Sequence, residues 1–181
     1  KEELEGWREM KNTGVKMRTM PIKACEWTWE TLGFICSSLS YSDIYTGIER
    51  GIVDAQCGGP PEQGWHFREV QGCWIQYNDY LEPIWFFMNL DVWNSLAEQD
   101  QKVLVEAAEM QALARWDDFL ADGERYRQRM ADEGITIIMP TEEELGKFAT
   151  VVRTDVWPKL EELMGKTLVD YCRSQVGMKV E

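Results

Sequence analysis

The stretch of residues 39–61 constrains the fold most, because it predicts a helix, a strand and a Gly/Pro-rich loop in direct succession. Ser40 or Ser42 can cap a short helix. One face of that helix carries the apolar side chains Tyr41, Ile44, Tyr45 and Ile48. Residues 52–55 are then typical of a short buried strand, and residues 57–61 form the loop. Open α/β sheets bind ligands where strands end, so this loop is a candidate site, although most such loops only connect elements.

Composition limits the class of protein and of ligand. The 181 residues suit one domain or one lobe of a larger protein. A net charge of −13 argues against nucleic acid as a partner, because binding phosphates requires clustered Lys and Arg. An anionic ligand therefore needs a local cation. No segment reaches the ~18 apolar residues of a membrane span, so we expect a chain that does not itself cross the membrane.

The five cysteines show no C-x-x-C pair and no regular metal-ligand spacing. Cys57, His66 and Cys73 could contribute to a zinc site, but three ligands at irregular spacing favour buried, inert thiols instead. A disulfide between Cys25 and Cys36 is possible, and only geometry can test it. We therefore expect no metal and no cofactor.

The alternating residues 15–20 predict the first strand, which Pro21 closes. Arg18 lies near the end of this strand, so it is either an exposed charge or a side chain that points into a cleft. A helix over residues 24–32 and a strand over residues 34–36 follow. Two more strands are predicted over residues 70–77 and 84–89, and the second is so apolar that we expect it to be central.

The second half of the chain is mostly helical by its pattern. A possible capping box of Ser95 and Glu98 starts a helix that continues to residue 133, about 50 Å long at ~1.5 Å per residue. Such a helix should bridge two bodies or run along both. A strand over residues 135–139 follows, and Thr141 with Glu144 forms a second capping box. Two closing helices are separated by Gly165. The chain is thus predicted to be a helix-rich α/β protein with short strands in a mixed sheet.

Several motifs occur in an order that is specific to one family. They are GVKMRT at 14–19, LG at 32–33, LSYSDIY at 39–45, GIVDA at 51–55 and WNSLAEQDQ at 93–101. Together they resemble the solute-binding proteins of tripartite ATP-independent periplasmic (TRAP) transporters, of the dicarboxylate-binding type. The resemblance extends over about residues 10 to 175.

The resemblance implies a two-lobed periplasmic-binding-protein-like fold, of which this chain matches the C-terminal portion. It implies a ligand-binding lobe over residues 1–95, a spine helix over 96–134, and a strand with closing helices over 135–181 that pack across the lobes. We therefore expect a fragment that alone binds ligand weakly or not at all. The implied function is capture of a small organic acid and its delivery to TRAP membrane subunits in the periplasm, without catalysis.

The resemblance also assigns candidate ligand contacts. Arg18 matches the family arginine, which the resemblance implies binds the ligand carboxylate. Tyr41 takes the position of a family aromatic residue whose ring looks like the floor of the binding pocket. The loop Cys57-Gly58-Gly59 replaces the family's usual Glu-Asn or Glu-Trp, so it can offer backbone N–H groups, a thiol and space. Glu82, Asp79 and Trp85 align loosely with the strand that borders the cleft.

Two other functions remain open from the residues alone. Cys57 could be the nucleophile of an enzyme, but the only histidine, His66, lies on a predicted helix and nothing orients the two residues as a catalytic pair. The chain could also be a sensory module whose cleft has lost its ligand; retention of Arg18 argues against this.

Overall fold

The computed structural model describes residues 4–79 and 83–179. The strands are β1 (Lys16–Thr19), β2 (Ile35–Ser38), β3 (Ala55–Gln56), β4 (Cys73–Ile75) and β5 (Thr136–Ile138). The helices are α1 (Lys23–Thr31), α2 (Ile44–Glu49), α3 (Pro61–His66), α4 (Leu90–Ser95), α5 (Glu98–Asp132), α6 (Glu142–Asp155), α7 (Trp157–Met164) and α8 (Lys166–Gln175), and one 3₁₀ turn covers Tyr41–Asp43. This is the predicted helix-rich α/β architecture.

Two small parallel sheets form the frame. The first has the order β2-β1-β3, with Met17 of the central strand opposite Cys36 and Ala55. The second pairs β4 with β5, with Trp74 opposite Ile137. Within the described residues every strand pairing is parallel, whereas the sequence led us to expect a mixed sheet. Because the strands of the first sheet are parallel, the loops that follow them meet at one edge.

An aromatic cluster joins the two sheets to the closing helices. Trp29 of α1 and Tyr77, just after β4, meet edge to face with ring centroids 5.0 Å apart. Phe148 of α6 lies 5.2 Å from the Tyr77 ring, and Trp7 lies 5.8 Å from that of Phe148. Trp7 is only 1% exposed, so its side chain anchors the first described residues in this cluster. The cluster shares one hydrophobic core with Met17 of β1 and with Cys57, which follows β3.

The long helix α5 contains 35 residues, which gives a length of about 52 Å. Its length agrees with the prediction, but its start does not involve the predicted capping box. The N-cap is Ala97, which has no side-chain cap, and the Ser95 hydroxyl instead donates to the carbonyl of Val92 (2.7 Å) within α4. The short helix α4 uses Ser95 as its own last residue, so that side chain is unavailable to α5.

The later helix boundaries follow the sequence signals. Thr141 and Glu144 form the complete reciprocal capping box at the start of α6. Pro158 lies in the first turn of α7, where its missing N–H costs nothing. Gly165 separates α7 from α8 with φ of 83°, a left-handed conformation that favours glycine.

The predicted central strand over residues 84–89 is wrong. Residues 83–89 have no strand pairing, and the side chains of Ile84 and Phe87 are 85% and 93% exposed. An apolar run forms a buried strand only when neighbouring strands and covering helices are present, and the described residues supply neither here. The strand predicted over residues 52–55 is also shifted, because pairing begins only at Ala55 although Val53 is fully buried.

Among the described residues, no helix is long and apolar enough to cross a membrane.

Candidate functional site

The candidate site lies at the carboxyl edge of the sheet β2-β1-β3, with Arg18 near its centre. Arg18 is the third residue of β1 and lies opposite Ser37 and Gln56 on the two neighbouring strands. Its side chain is buried, with the residue only 4% exposed. The Nε of Arg18 donates to the carbonyl of Leu39 (3.0 Å), which belongs to the loop after β2. The guanidinium is therefore fixed across the end of the central strand.

In the part of the chain that the structure describes, Arg18 forms no ion pair with a carboxylate within 4.0 Å, although Asp79 is close enough to act on the same two thiols, Cys25 and Cys57, as Arg18 does. A buried cation without a compensating anion is costly, and the cost is offset when a ligand anion supplies the missing charge. With Nε bound to Leu39, the two terminal nitrogens are the donors left for such a ligand. Their spacing suits the two oxygens of a carboxylate.

The glycine loop after β3 lies next to this arginine. The N–H of Cys57 donates to the carbonyl of Arg18 (3.2 Å), which continues the pairing of β3 with β1. Gly58 and Gly59 then take φ values of 93° and 85°. Both values lie in the left-handed region, where a side chain would be strained. In residues 4–79 and 83–179, no acceptor takes a hydrogen bond from the N–H groups of these two glycines.

A cavity of about 350 Å³ opens between β3 and β4. Of the predicted site residues, Cys57, Gly58 and Gly59 line it, whereas Arg18 does not. Three other lining side chains each have a buried polar atom with no partner among the described residues: Trp29 Nε1, Gln56 Oε1 and Tyr77 hydroxyl. Buried polar atoms are usually hydrogen-bonded, so these three are suited to a bound water or ligand.

Sequence reasoning missed these three residues as functional candidates. Gln56 directly follows the GIVDA motif and precedes the glycine loop, so its position carried a usable signal. Trp29 and Tyr77 gave no such signal, because they are distant in sequence and meet only through the aromatic cluster.

The other predicted ligand contacts are Tyr41, Trp85 and Glu82, of which Tyr41 and Trp85 lie in separate segments of the described residues. Tyr41 begins the 3₁₀ turn, two residues after the Leu39 that binds Arg18; its ring packs at 6.0 Å from that of Phe67, and the residue is 58% exposed. Tyr41 thus lies beside the carboxyl edge of the first sheet, with most of its side chain exposed to solvent. Trp85 is 74% exposed in the unpaired segment 83–89. Glu82 lies outside the described residues.

Two thiols meet at the start of the glycine loop. The Sγ atoms of Cys25, in α1, and Cys57 are 3.4 Å apart. This hydrogen bond and burial raise the pKa of Cys57, whereas the same bond lowers the pKa of Cys25 to about 7. Cys36 does not take part in this contact, because its Sγ donates to the carbonyl of Glu26 at 3.6 Å. Burial raises the pKa of Cys36 to about 12.

These thiols do not form the catalytic pair that an enzyme would need. The partner of the Cys57 thiol is another thiol rather than an imidazole, and a raised pKa keeps that thiol protonated at neutral pH. His66 ends α3. Within the described residues, no group of three or more His, Cys, Asp or Glu side chains could hold a metal ion.

The model of the family "DctP: Bacterial extracellular solute-binding protein, family 7" matches residues 2–162. A solute-binding protein of Verminephrobacter eiseniae is 26% identical over 93% of this chain and 53% of its own length. A solute-binding protein of Roseobacter denitrificans is 26% identical over 52% of this chain and 30% of its own. The chain thus spans about half the length, or less, of these curated relatives.

Among solved structures, a TRAP periplasmic solute-binding protein from Polaromonas bound to D-erythronate superposes with a TM-score of 0.79. It is 21% identical and covers 100% of this chain and 57% of its own. A TRAP periplasmic solute-binding protein from Ralstonia eutropha with bound (S)-2-acetolactate has a TM-score of 0.76 at 21% identity, covering 96% of this chain and 56% of its own. At these identities the likeness shows the fold.

Proposed function

The chain belongs to family 7 of the bacterial extracellular solute-binding proteins, and on this basis we propose that it is the solute receptor of a TRAP transporter. In this role it captures a small organic acid in the periplasm and delivers it to the membrane subunits. It binds its ligand and catalyses no reaction. The proposal concerns the whole receptor, because the chain spans only about half of its relatives.

The observation that carries the proposal is the buried guanidinium of Arg18, which forms no ion pair within 4.0 Å with a carboxylate of the described residues. The guanidinium is buried, is oriented by the carbonyl of Leu39, and stands at the sheet edge where α/β proteins bind ligands. In a chain of net charge −13, this single site gives a ligand anion the local cation that it needs. Two parallel charge-assisted hydrogen bonds would then hold the carboxylate.

The glycine loop supports a second set of contacts. The N–H groups of Gly58 and Gly59 can donate to oxygens at the other end of the ligand, as consecutive backbone N–H groups do in anion-binding loops. Gln56 Oε1 is an acceptor suited to a ligand hydroxyl. A carboxylate that also carries hydroxyl or keto groups would use all of these partners. D-Erythronate and (S)-2-acetolactate, bound to the two similar structures, have this chemistry.

A thermal-shift screen tests the proposal with matched pairs of acids and amides. The probes are D-erythronate, succinate and acetolactate, each compared with its neutral primary amide, added to the whole receptor that contains this chain. A ligand present at about 100 times its Kd stabilises the folded state by roughly 2.7 kcal/mol, which raises the Tm by about 5 °C or more. We expect at least one acid, and none of the amides, to produce this shift.

Equal shifts for an acid and its amide would contradict carboxylate recognition. The absence of a shift with every acid, including a wider set of hydroxy and keto acids, would contradict the receptor role.

A further inference from the structure

We propose that Cys25 and Cys57 form a disulfide bond that ties α1 to the start of the glycine loop. The proposal concerns a covalent modification and does not depend on which ligand the protein binds. It differs from the Cys25–Cys36 pairing that the sequence left open.

The two sulfur atoms are already in contact. Their separation of 3.4 Å must shorten by about 1.4 Å to reach a covalent S–S bond, a change within the range of small side-chain rotations. Both residues sit on rigid supports: Cys25 is in the first turn of α1, and Cys57 is joined to β1 through its N–H bond to Arg18. The contact therefore results from the packing of α1 on the sheet.

The thiol chemistry gives the pair distinct roles. Cys25 is half-buried, and the hydrogen bond to Cys57 lowers the pKa of its thiol, which makes it the better nucleophile of the two. Its sulfur attacks the S–S bond of an external disulfide, forming a mixed disulfide and releasing one thiol. Cys57, which is 4% exposed and protonated, then loses its proton and attacks the Cys25 sulfur, releasing the second thiol. The external disulfide is reduced to two thiols as the protein dithiol becomes a disulfide.

Cys36 and Cys172 lack this arrangement. Cys36 bonds to the Glu26 carbonyl and has a pKa of about 12, so it is a poor nucleophile. Cys172 lies on α8, the last described helix, and not on a strand of the first sheet or the loops beside it.

The bond would fix the loop that borders Arg18. Cys25 and Cys57 are separated by 32 positions, and the segment between them contains β2, α2 and all of β3. Closing a loop of this size restricts the unfolded chain, and we expect oxidation to raise the Tm by about 5 to 10 °C. The same bond would limit movement of Cys57 relative to α1, and so the position of Gly58.

The test is peptide mapping of the purified protein after oxidation with oxidised glutathione. Free thiols are blocked with iodoacetamide, and the protein is digested and analysed by mass spectrometry without reduction. We expect one linked pair of peptides, containing Cys25 and Cys57, and alkylated Cys36, Cys73 and Cys172. A Cys25–Cys36 link, or alkylation of both Cys25 and Cys57 after oxidation, would overturn the proposal.

Variants separate the roles of the two thiols. Cys57→Ser should trap the mixed disulfide, so that Cys25 carries one glutathione, whereas the matched control Cys36→Ser should still form the Cys25–Cys57 bond. Oxidation should raise the Tm of the Cys36→Ser protein and leave that of Cys57→Ser almost unchanged. Glutathione on Cys36 of the Cys57→Ser protein, with Cys25 alkylated, would contradict the assigned nucleophile.

Discussion

At the scale of single residues, the account depends on the buried cation of Arg18, which forms no ion pair within 4.0 Å among the described residues. Arg18 combines low exposure with a fixed Nε, so its two terminal nitrogens are held in place before a ligand arrives. Such preorganisation reduces the entropy that binding must overcome. A lysine at this position would keep the charge and lose the planar fork.

In the whole receptor that contains this chain, Arg18→Lys is therefore expected to weaken binding of the best carboxylate by at least about 2 kcal/mol, or roughly 30-fold in Kd, by isothermal titration calorimetry. The matched control is Arg50→Lys, which changes an exposed arginine at the end of α2 and should leave the affinity unchanged. Unchanged affinity in Arg18→Lys would remove Arg18 from the site.

The residue scale also shows what sequence could predict about the site. Arg18 and the glycine loop are recognisable because each lies at a strand end within a motif. The unpartnered atoms of Trp29 and Tyr77 are not, because their burial depends on contacts between distant parts of the chain. Whether any of these residues contacts ligand stays a prediction.

At the scale of elements, α3 connects the glycine loop to the rest of the molecule through a glycine contact. A Cβ added at Gly64 would lie 2.5 Å from the ring of Trp74 and 2.9 Å from the sulfur of Met130. The carbonyl of Gly64 also accepts from the amide of Gln71 (2.7 Å). The absence of a side chain thus lets α3 lie directly on β4 and α5.

Gly64→Ala should lower the free energy of unfolding by about 1–3 kcal/mol, because the added methyl group overpacks this contact. Gly146→Ala is the matched control: its Cβ meets nothing within 4 Å on the exposed face of α6, and alanine should stabilise the helix by about 0.5–1 kcal/mol. Urea unfolding measures both. Equal stability changes in the two variants would contradict the close packing of α3.

Elements were predictable where the determining chemistry is local. Thr141 and Glu144 bond to each other across three residues, so their capping box could be read directly. The pair Ser95 and Glu98 has the same spacing, yet Ser95 is used by α4, an element that the sequence analysis did not identify. The strand over residues 84–89 failed because pairing depends on neighbours elsewhere, which a local apolar run cannot specify.

At the scale of the whole molecule, a large apolar surface is exposed. Trp85, Phe86 and Phe87 are 74%, 77% and 93% exposed, and Leu113, Trp116 and Leu120 of α5 are 71%, 77% and 80% exposed. Apolar surface of this extent marks an interaction surface. The expectation that α5 runs along two bodies is consistent with such a surface and stays a prediction.

Substitutions on and off this surface should differ sharply. Phe87→Ser is expected to change the free energy of unfolding by less than about 0.5 kcal/mol, because its side chain is almost fully exposed. Phe148→Ala, at 4% exposure in the aromatic cluster, should cost about 3–5 kcal/mol. Denaturant unfolding of the 181-residue chain measures both. A similar loss in the two variants would mean that Phe87 is packed in solution.

The central claim is that Arg18 holds the carboxylate of an organic acid at the edge of the sheet β2-β1-β3. A crystal structure of the intact protein with the acid that gives the largest thermal shift tests it most directly. The predicted result is a ligand carboxylate bound by both terminal nitrogens of Arg18 at about 2.7–2.9 Å, with Nε still bonded to Leu39. A ligand bound elsewhere, or one whose carboxylate contacts no nitrogen of Arg18, would contradict it.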